Sequence, residues 1–180
     1  MVTFDPDQYR HIVDLRENCQ VLKDITSAGL PENGMVIALT CSDGDRFQDY
    51  FEHHQKTQQC KIHPLSLNGG AMLLSEACPE NNIFAWHRGL TGMILKSCSI
   101  KQTNIVALSS HWPCAVASEH NLSVDDVILL TIHGRLILKQ LNSRIKVYCC
   151  FHVAHLDGRH RTYTIDHQHK YFQRQALLNS

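Results

Sequence analysis

The sequence predicts an α/β domain in which a mostly parallel central sheet carries helices on both faces, with an antiparallel edge strand near the C-terminus and an N-terminal helical arm. Two observations lead to this. Short apolar runs are twice followed by a polar turn and then a stretch of helical periodicity, which is the pattern of strand-to-helix units. Near the end, two strand-like runs flank Asp157-Gly158, a dipeptide suited to a tight hairpin turn.

The elements follow in order. Residues 7–24 place Tyr9, Ile12, Val13, Leu15, Cys19 and Leu22 at roughly helical spacing, which predicts an amphipathic N-terminal helix. The turn formers of SAGLPENG end it. MVIALT, Met35 to Thr40, is an apolar run suited to a buried strand. In CSDGDRFQDYFEHHQK, Ser42, Asp43 and Asp45 can cap a helix running to about Lys56. CKIHPLSL is expected at a sheet edge or strand end, because Pro64 has no N–H to give to a ladder. Residues 71–85 read as irregular, and a helix is predicted from Trp86 to about Ser97. NIVALSS, from Asn104, is a second β-branched apolar run leading to His111-Trp112-Pro113-Cys114. Ser123-Val124-Asp125-Asp126 opens a helix to about Leu141, with Arg135 and Lys139 towards its negative end. Residues 147–156 and 159–165 are the hairpin strands. The expected division is a helical arm over 1–34, the main α/β domain over 35–165 and a polar tail over 166–180.

Composition narrows the function. The 180 residues suit one compact domain, and seventeen basic residues balance seventeen acidic ones. No global field attracts a phosphate backbone or an anionic membrane, so neither nucleic acid nor membrane is an expected partner. MVTFDPDQYR lacks a basic segment followed by an apolar run, and no stretch approaches the ~20 apolar residues of a membrane span. A cytoplasmic location is expected. The eight cysteines lack the regular spacing of a disulfide scaffold, so reduced thiols are expected, and thirteen histidines beside them favour a borderline metal such as zinc.

Cys41, His111 and Cys114 supply a zinc-type donor set. Two thiolates and an imidazole fill three corners of a tetrahedron and leave the fourth for water. His111 and Cys114 would share a side if the chain between them is helical. Taken singly, a His-x-x-Cys pair is usually incidental and a lone cysteine is usually a small buried hydrophobe. Here Cys41 and His111 both follow buried strands, at the sheet end where ligands of open α/β sheets gather. That coincidence is what selects them. His53, His54, His63, His87, His167 and His169 read as surface or tail residues. Cys149 and Cys150 read as packing residues on opposite faces of one strand, and Trp86 and Trp112 as packing aromatics.

These segments resemble the β-class carbonic anhydrases. MVIALTCSDGDRF is similar to that family's first metal strand, with its Cys-x-Asp-x-Arg pattern, and NIVALSSHWPCAVA to its His-x-x-Cys strand. LSLNGGA, with Asn68, Gly69 and Gly70, resembles the family's Asn-Ala-Gly segment, and VYCCFHVAHLDGRHRTYTI its final strand pair. The resemblance runs in order from Met35 to Ile165. It implies Zn2+ on Cys41, His111 and Cys114, reversible hydration of carbon dioxide to bicarbonate, Asp43 orienting the nucleophile, and a homodimer or higher homo-oligomer. Asp45 stands where the family has arginine, with Arg46 one place later; Ala115 replaces a glycine and Leu67 an arginine. The shifted arginine favours an alternative on the same fold, a non-catalytic zinc-binding or regulatory protein in which Asp43 closes the site; a further alternative is a zinc hydrolase of a carbon dioxide analogue such as carbonyl sulfide or carbon disulfide. A metal-free cysteine hydrolase using Cys114 with His111 is the third reading.

Overall fold

The computed structural model describes residues 5–25, 34–58 and 60–172, the side chains of residues 45, 53, 54 and 56–58 excepted. The SAGLPENG turn, apart from Gly34, the end of the polar tail, and the His53 and His54 side chains lie outside the described residues.

Helix α1, Pro6–Glu17, starts where Pro6 occupies the first turn and the Asp5 carboxylate accepts from the Asp7 amide. The helical periodicity runs on to Asp24, but the helix stops at Glu17 and Leu22–Asp24 forms strand β1. The reason is tertiary: Leu22 to Asp24 pair antiparallel with Ile165 to Tyr163. The remaining strands are β2 Met35–Thr40, β3 Lys61–Ser66, β4 Ile105–Trp112, β5 Lys146–Ala154 and β6 His160–Ile165. They form one sheet in the order β1-β6-β5-β4-β2-β3. β3, β2, β4 and β5 run parallel, and β6 returns antiparallel on β5. β6 is not the edge, because β1 covers it. Pro64 lies on β3, which is an edge strand, so its missing donor costs no ladder bond on an interior side.

The helices between the strands are α2 Gly44–Gln58, α3 Asn81–Phe84, α4 Trp86–Lys101, α5 Ala115–Glu119 and α6 Val124–Leu141. A 3-10 turn, Gly70–Leu74, and short α3 occupy the segment expected to be irregular. Asn81 explains its order: its buried side-chain amide donates to the Leu73 and Ser75 carbonyls and its oxygen accepts from the His87 amide. Ser123 and Asp126 cap α6 reciprocally.

Strand alternation sorts the core into two clusters. Ile37, Leu39, Val106, Leu108, Cys149 and Phe151 belong to the larger one, with Ile12 and Leu15 of α1, Leu90 and Ile94 of α4, and Val127 and Ile128 of α6. Val36, Ala38, Ala107 and Cys150 point to the other face and pack with Tyr50 of α2. Cys149 and Cys150 thus face opposite sides. Each fully buried Leu, Ile or Phe contributes roughly 1.5–3 kcal/mol. His111 and His152 share parity with Ala107 and Cys150, so both lie on the α2 side.

Candidate metal centre

Cys41 is the first residue after β2, at the carboxyl end of the sheet. The loop Asn68-Gly69-Gly70 folds over it: the Leu67 amide donates to the Thr40 carbonyl, the Ser42 amide to the Leu67 carbonyl, and the Ser42 hydroxyl lies 2.5 Å from Asn68 Oδ1. Gly69 has φ +91° and its amide donates to Cys41 Sγ at 3.4 Å. Gly70, at φ +56°, packs so tightly that a Cβ there would sit 2.5 Å from the Cys41 amide nitrogen and 2.9 Å from the Ser109 carbonyl oxygen. A glycine pair therefore brings backbone against the sulfur.

His111 is the penultimate residue of β4, and Cys114 is the N-cap of α5 with extended backbone, φ −128° and ψ 129°. The chain between them is not helical as the spacing suggested. A strand end and a helix start bring the two donors together, with a cis Trp112–Pro113 peptide between them. One donor atom from each of Cys41, His111 and Cys114 lies within 4.8 Å of the other two, and all three residues are buried.

The electrostatics single out this pair of sulfurs. All eight cysteines are free. Burial raises seven of the thiols or contributes to raising them, whereas Cys41 is held well below the ordinary thiol range. The main cause is a hydrogen bond from the Cys114 thiol, with burial opposing it and His111 adding to it. The same bond, then burial, pushes Cys114 up. A divalent cation bound between the two sulfurs would displace their protons. Both ring nitrogens of His111 are buried without a hydrogen-bond partner among the described residues. Two adjacent sulfurs and a buried, unsatisfied imidazole fit a zinc-type ion better than they fit a dry core.

Asp43 and Arg46 lie at the start of α2. The Asp43 carbonyl accepts from the Arg46 and Phe47 amides, so the turn is helical. Asp43 Oδ2 stands 4.0 Å from His111 Nε2, and Arg46 Nη1 lies 3.1 Å from His160 Nε2. A cavity of about 280 Å³ borders Cys114 and is lined also by Gln8, Trp112, Pro113 and Ser118. A larger one, about 560 Å³, lies at the opposite ends of the strands beside Gln102, Asn104 and Leu141, away from the donors.

The sequence reading missed a second group at the same sheet end. Asp49 of α2, His152 of β5 and His160 of β6 also bring donor atoms within 4.8 Å of one another. His152 is the register partner of His111 across β4 and β5. Burial keeps its imidazole neutral, down to about 3. The only sequence signal is that His152 shares parity with Cys150; its alignment with His111 depends on the register between distant strands.

No family model matches the sequence, and no curated protein matches it. The chain is similar to a β-carbonic anhydrase. The crystal structure of isoform I from the protozoan Trichomonas vaginalis covers 92% of this chain and 99% of its own, at 11% identity and a TM-score of 0.45. Among the described residues, no helix is long and apolar enough to cross a membrane.

Proposed function

We propose that this chain holds zinc on Cys41, His111 and Cys114 and hydrates carbon dioxide reversibly to bicarbonate. The observation that carries the reading is the convergence of these three buried donors, from two strand ends and a helix start, within 4.8 Å. Bound there, zinc would act as a Lewis acid that makes hydroxide available near neutral pH.

The rest is the work of the chain. Gly69 donates its amide to Cys41 Sγ, which supports the thiolate and moderates its charge. Asp43, 4.0 Å from His111 and outside the three-donor cluster, would accept a hydrogen bond from the attacking oxygen and orient it. Arg46 acts at the rim through His160. The buried walls around His111 exclude bulk water from the donors. The reading carries with it a homodimer and a cytoplasmic location.

One observation favours a second reading. The Asp43 carboxylate stands 4.0 Å from a ligand nitrogen, from which it could close on the cation as a fourth donor. The protein would then be a zinc-stabilised binding protein on this fold.

Cys114→Ser tests the ligand set in the cobalt-substituted protein: at least tenfold weaker binding of the ion that produces the sulfur-to-cobalt charge-transfer band is expected, and unchanged binding of that ion would exclude Cys114 as a ligand. Stopped-flow carbon dioxide hydration by the zinc-loaded protein separates the two readings. Measurable hydration that Asp43→Asn reduces by tenfold or more supports the enzyme; a zinc-replete protein with no hydration at any pH supports the closed site.

A further inference from the structure

We propose that Asp49, His152 and His160 form a second divalent-cation site, next to the cysteine-bearing one and chemically distinct from it. The proposal does not rest on the hydratase reading, since none of its three donors is one of the three ligands there.

Three elements supply the donors: α2 gives Asp49, β5 gives His152, and β6, entered through the Asp157-Gly158 turn, gives His160. Their donor atoms lie within 4.8 Å of one another, a separation that one ion can span by drawing them in slightly. The His152 and His160 rings meet edge to face, with centroids 5.9 Å apart.

His152 is the independent observation. It is 3% exposed, so its ring has no access to bulk water. Its Nδ1 lies 2.9 Å from the Thr162 hydroxyl, which can accept from Nδ1–H and so leave Nε2 as a bare lone pair. That Nε2 is buried and has no hydrogen-bond partner among the described residues. An unsatisfied buried acceptor is costly, and a cation is the partner that a neutral imidazole lone pair takes best. A hydroxyl holding one ring nitrogen is also the arrangement that orients a metal-bound histidine.

The other two donors lie at the rim. Asp49 and His160 are about one-third exposed and in direct contact, Asp49 Oδ2 with His160 Nδ1. An ion entering between them would replace the shared proton. Arg46 opposes this, because its guanidinium sits 3.1 Å from His160 Nε2. A metal on Nδ1 leaves Nε2 protonated, so Arg46 would have to turn away, which weakens the site relative to the cysteine one. Two imidazoles and one carboxylate select a borderline transition ion such as Zn2+ or Co2+ over Mg2+ or Ca2+, which prefer oxygen donors, and they leave coordination positions open for water.

The test titrates the untagged, demetallated full chain with Co2+, measuring bound cobalt after equilibrium dialysis and recording the sulfur-to-cobalt charge-transfer absorption. Two equivalents are expected, of which only one produces the charge-transfer band. Asp49→Asn and His160→Ala should each weaken the band-silent equivalent at least tenfold and leave the band intact. The donors changed are at the rim, and circular dichroism checks that both variants fold. A single equivalent in the wild-type protein, or a second one that both variants keep unchanged, would overturn the proposal. A band-silent equivalent without any charge-transfer band would instead support this site and refute the Cys41, His111 and Cys114 ligand set.

Discussion

Gly70→Ala probes the fold and the metal centre together. The added methyl meets two penalties. Gly70 has φ +56°, a region in which a residue with a Cβ costs roughly 1–2 kcal/mol. Its Cβ would also stand 2.5 Å from the Cys41 amide nitrogen, 2.9 Å from the Ser109 carbonyl oxygen and 2.9 Å from the Thr40 carbonyl carbon. These neighbours are backbone of β2, its continuation and β4, so no rotamer change relieves the contact. Overpacking of this kind costs about 1–3 kcal/mol. The sum is roughly 2–5 kcal/mol, a large share of a typical domain's stability of about 5–15 kcal/mol. Urea unfolding of the metal-free protein should show a lower midpoint with an unchanged slope. The Cys41 backbone must also yield, which loosens the Gly69 amide contact on its sulfur, so zinc affinity should fall by tenfold or more. A variant as stable as the parent would show that the loop does not pack against Cys41 as described. A destabilised variant with unchanged zinc affinity would show that the loop does not position the sulfur.

Other expectations can be checked separately. Asn81→Ala removes three side-chain hydrogen bonds that tie the 3-10 turn to the start of α4, and at ~0.5–1.5 kcal/mol each it should cost about 2–4 kcal/mol in chemical denaturation. A fully stable Asn81→Ala would refute that role. Asp166 pairs with Lys23 at 2.8 Å, chiefly through a hydrogen bond that holds its carboxyl below the usual range. With the folded value depressed, the pair stabilises the protein above the unfolded carboxylate pKa of about 3.9 and the contribution is lost as pH falls through the folded value. Stability should thus drop less steeply below about pH 4 in Asp166→Asn than in the parent, and identical slopes would refute it. In Cys114→Ser, the zinc-induced rise in thermal midpoint should be smaller than in the parent, because the cysteine-bearing site no longer contributes; an equal rise would place the stabilising ion elsewhere.

The fold was legible wherever local pattern and tertiary demand agreed. The β2 and β4 runs, the Ser123 capping signal and the Asp157-Gly158 turn each carry their own physics, and Pro64 announced an edge strand because a missing N–H cannot serve an interior ladder. The pattern failed at residues 22–24, where a continuing helical spacing was overridden by pairing with β6. It failed again at 70–84, where Asn81 orders a segment rich in turn formers by hydrogen bonds to residues on both sides of it.

The site divides along the same line. The sequence by itself determined the donors Cys41, His111 and Cys114 as candidates, because thiol and imidazole chemistry and placement after buried strands are local properties. Only the tertiary structure decided that they meet, that the glycine loop closes on Cys41, that Arg46 turns to His160, and that His152 aligns with His111. Those relations depend on register between strands and on a close backbone approach, and a one-residue slip in register would turn each such side chain to the other face of the sheet.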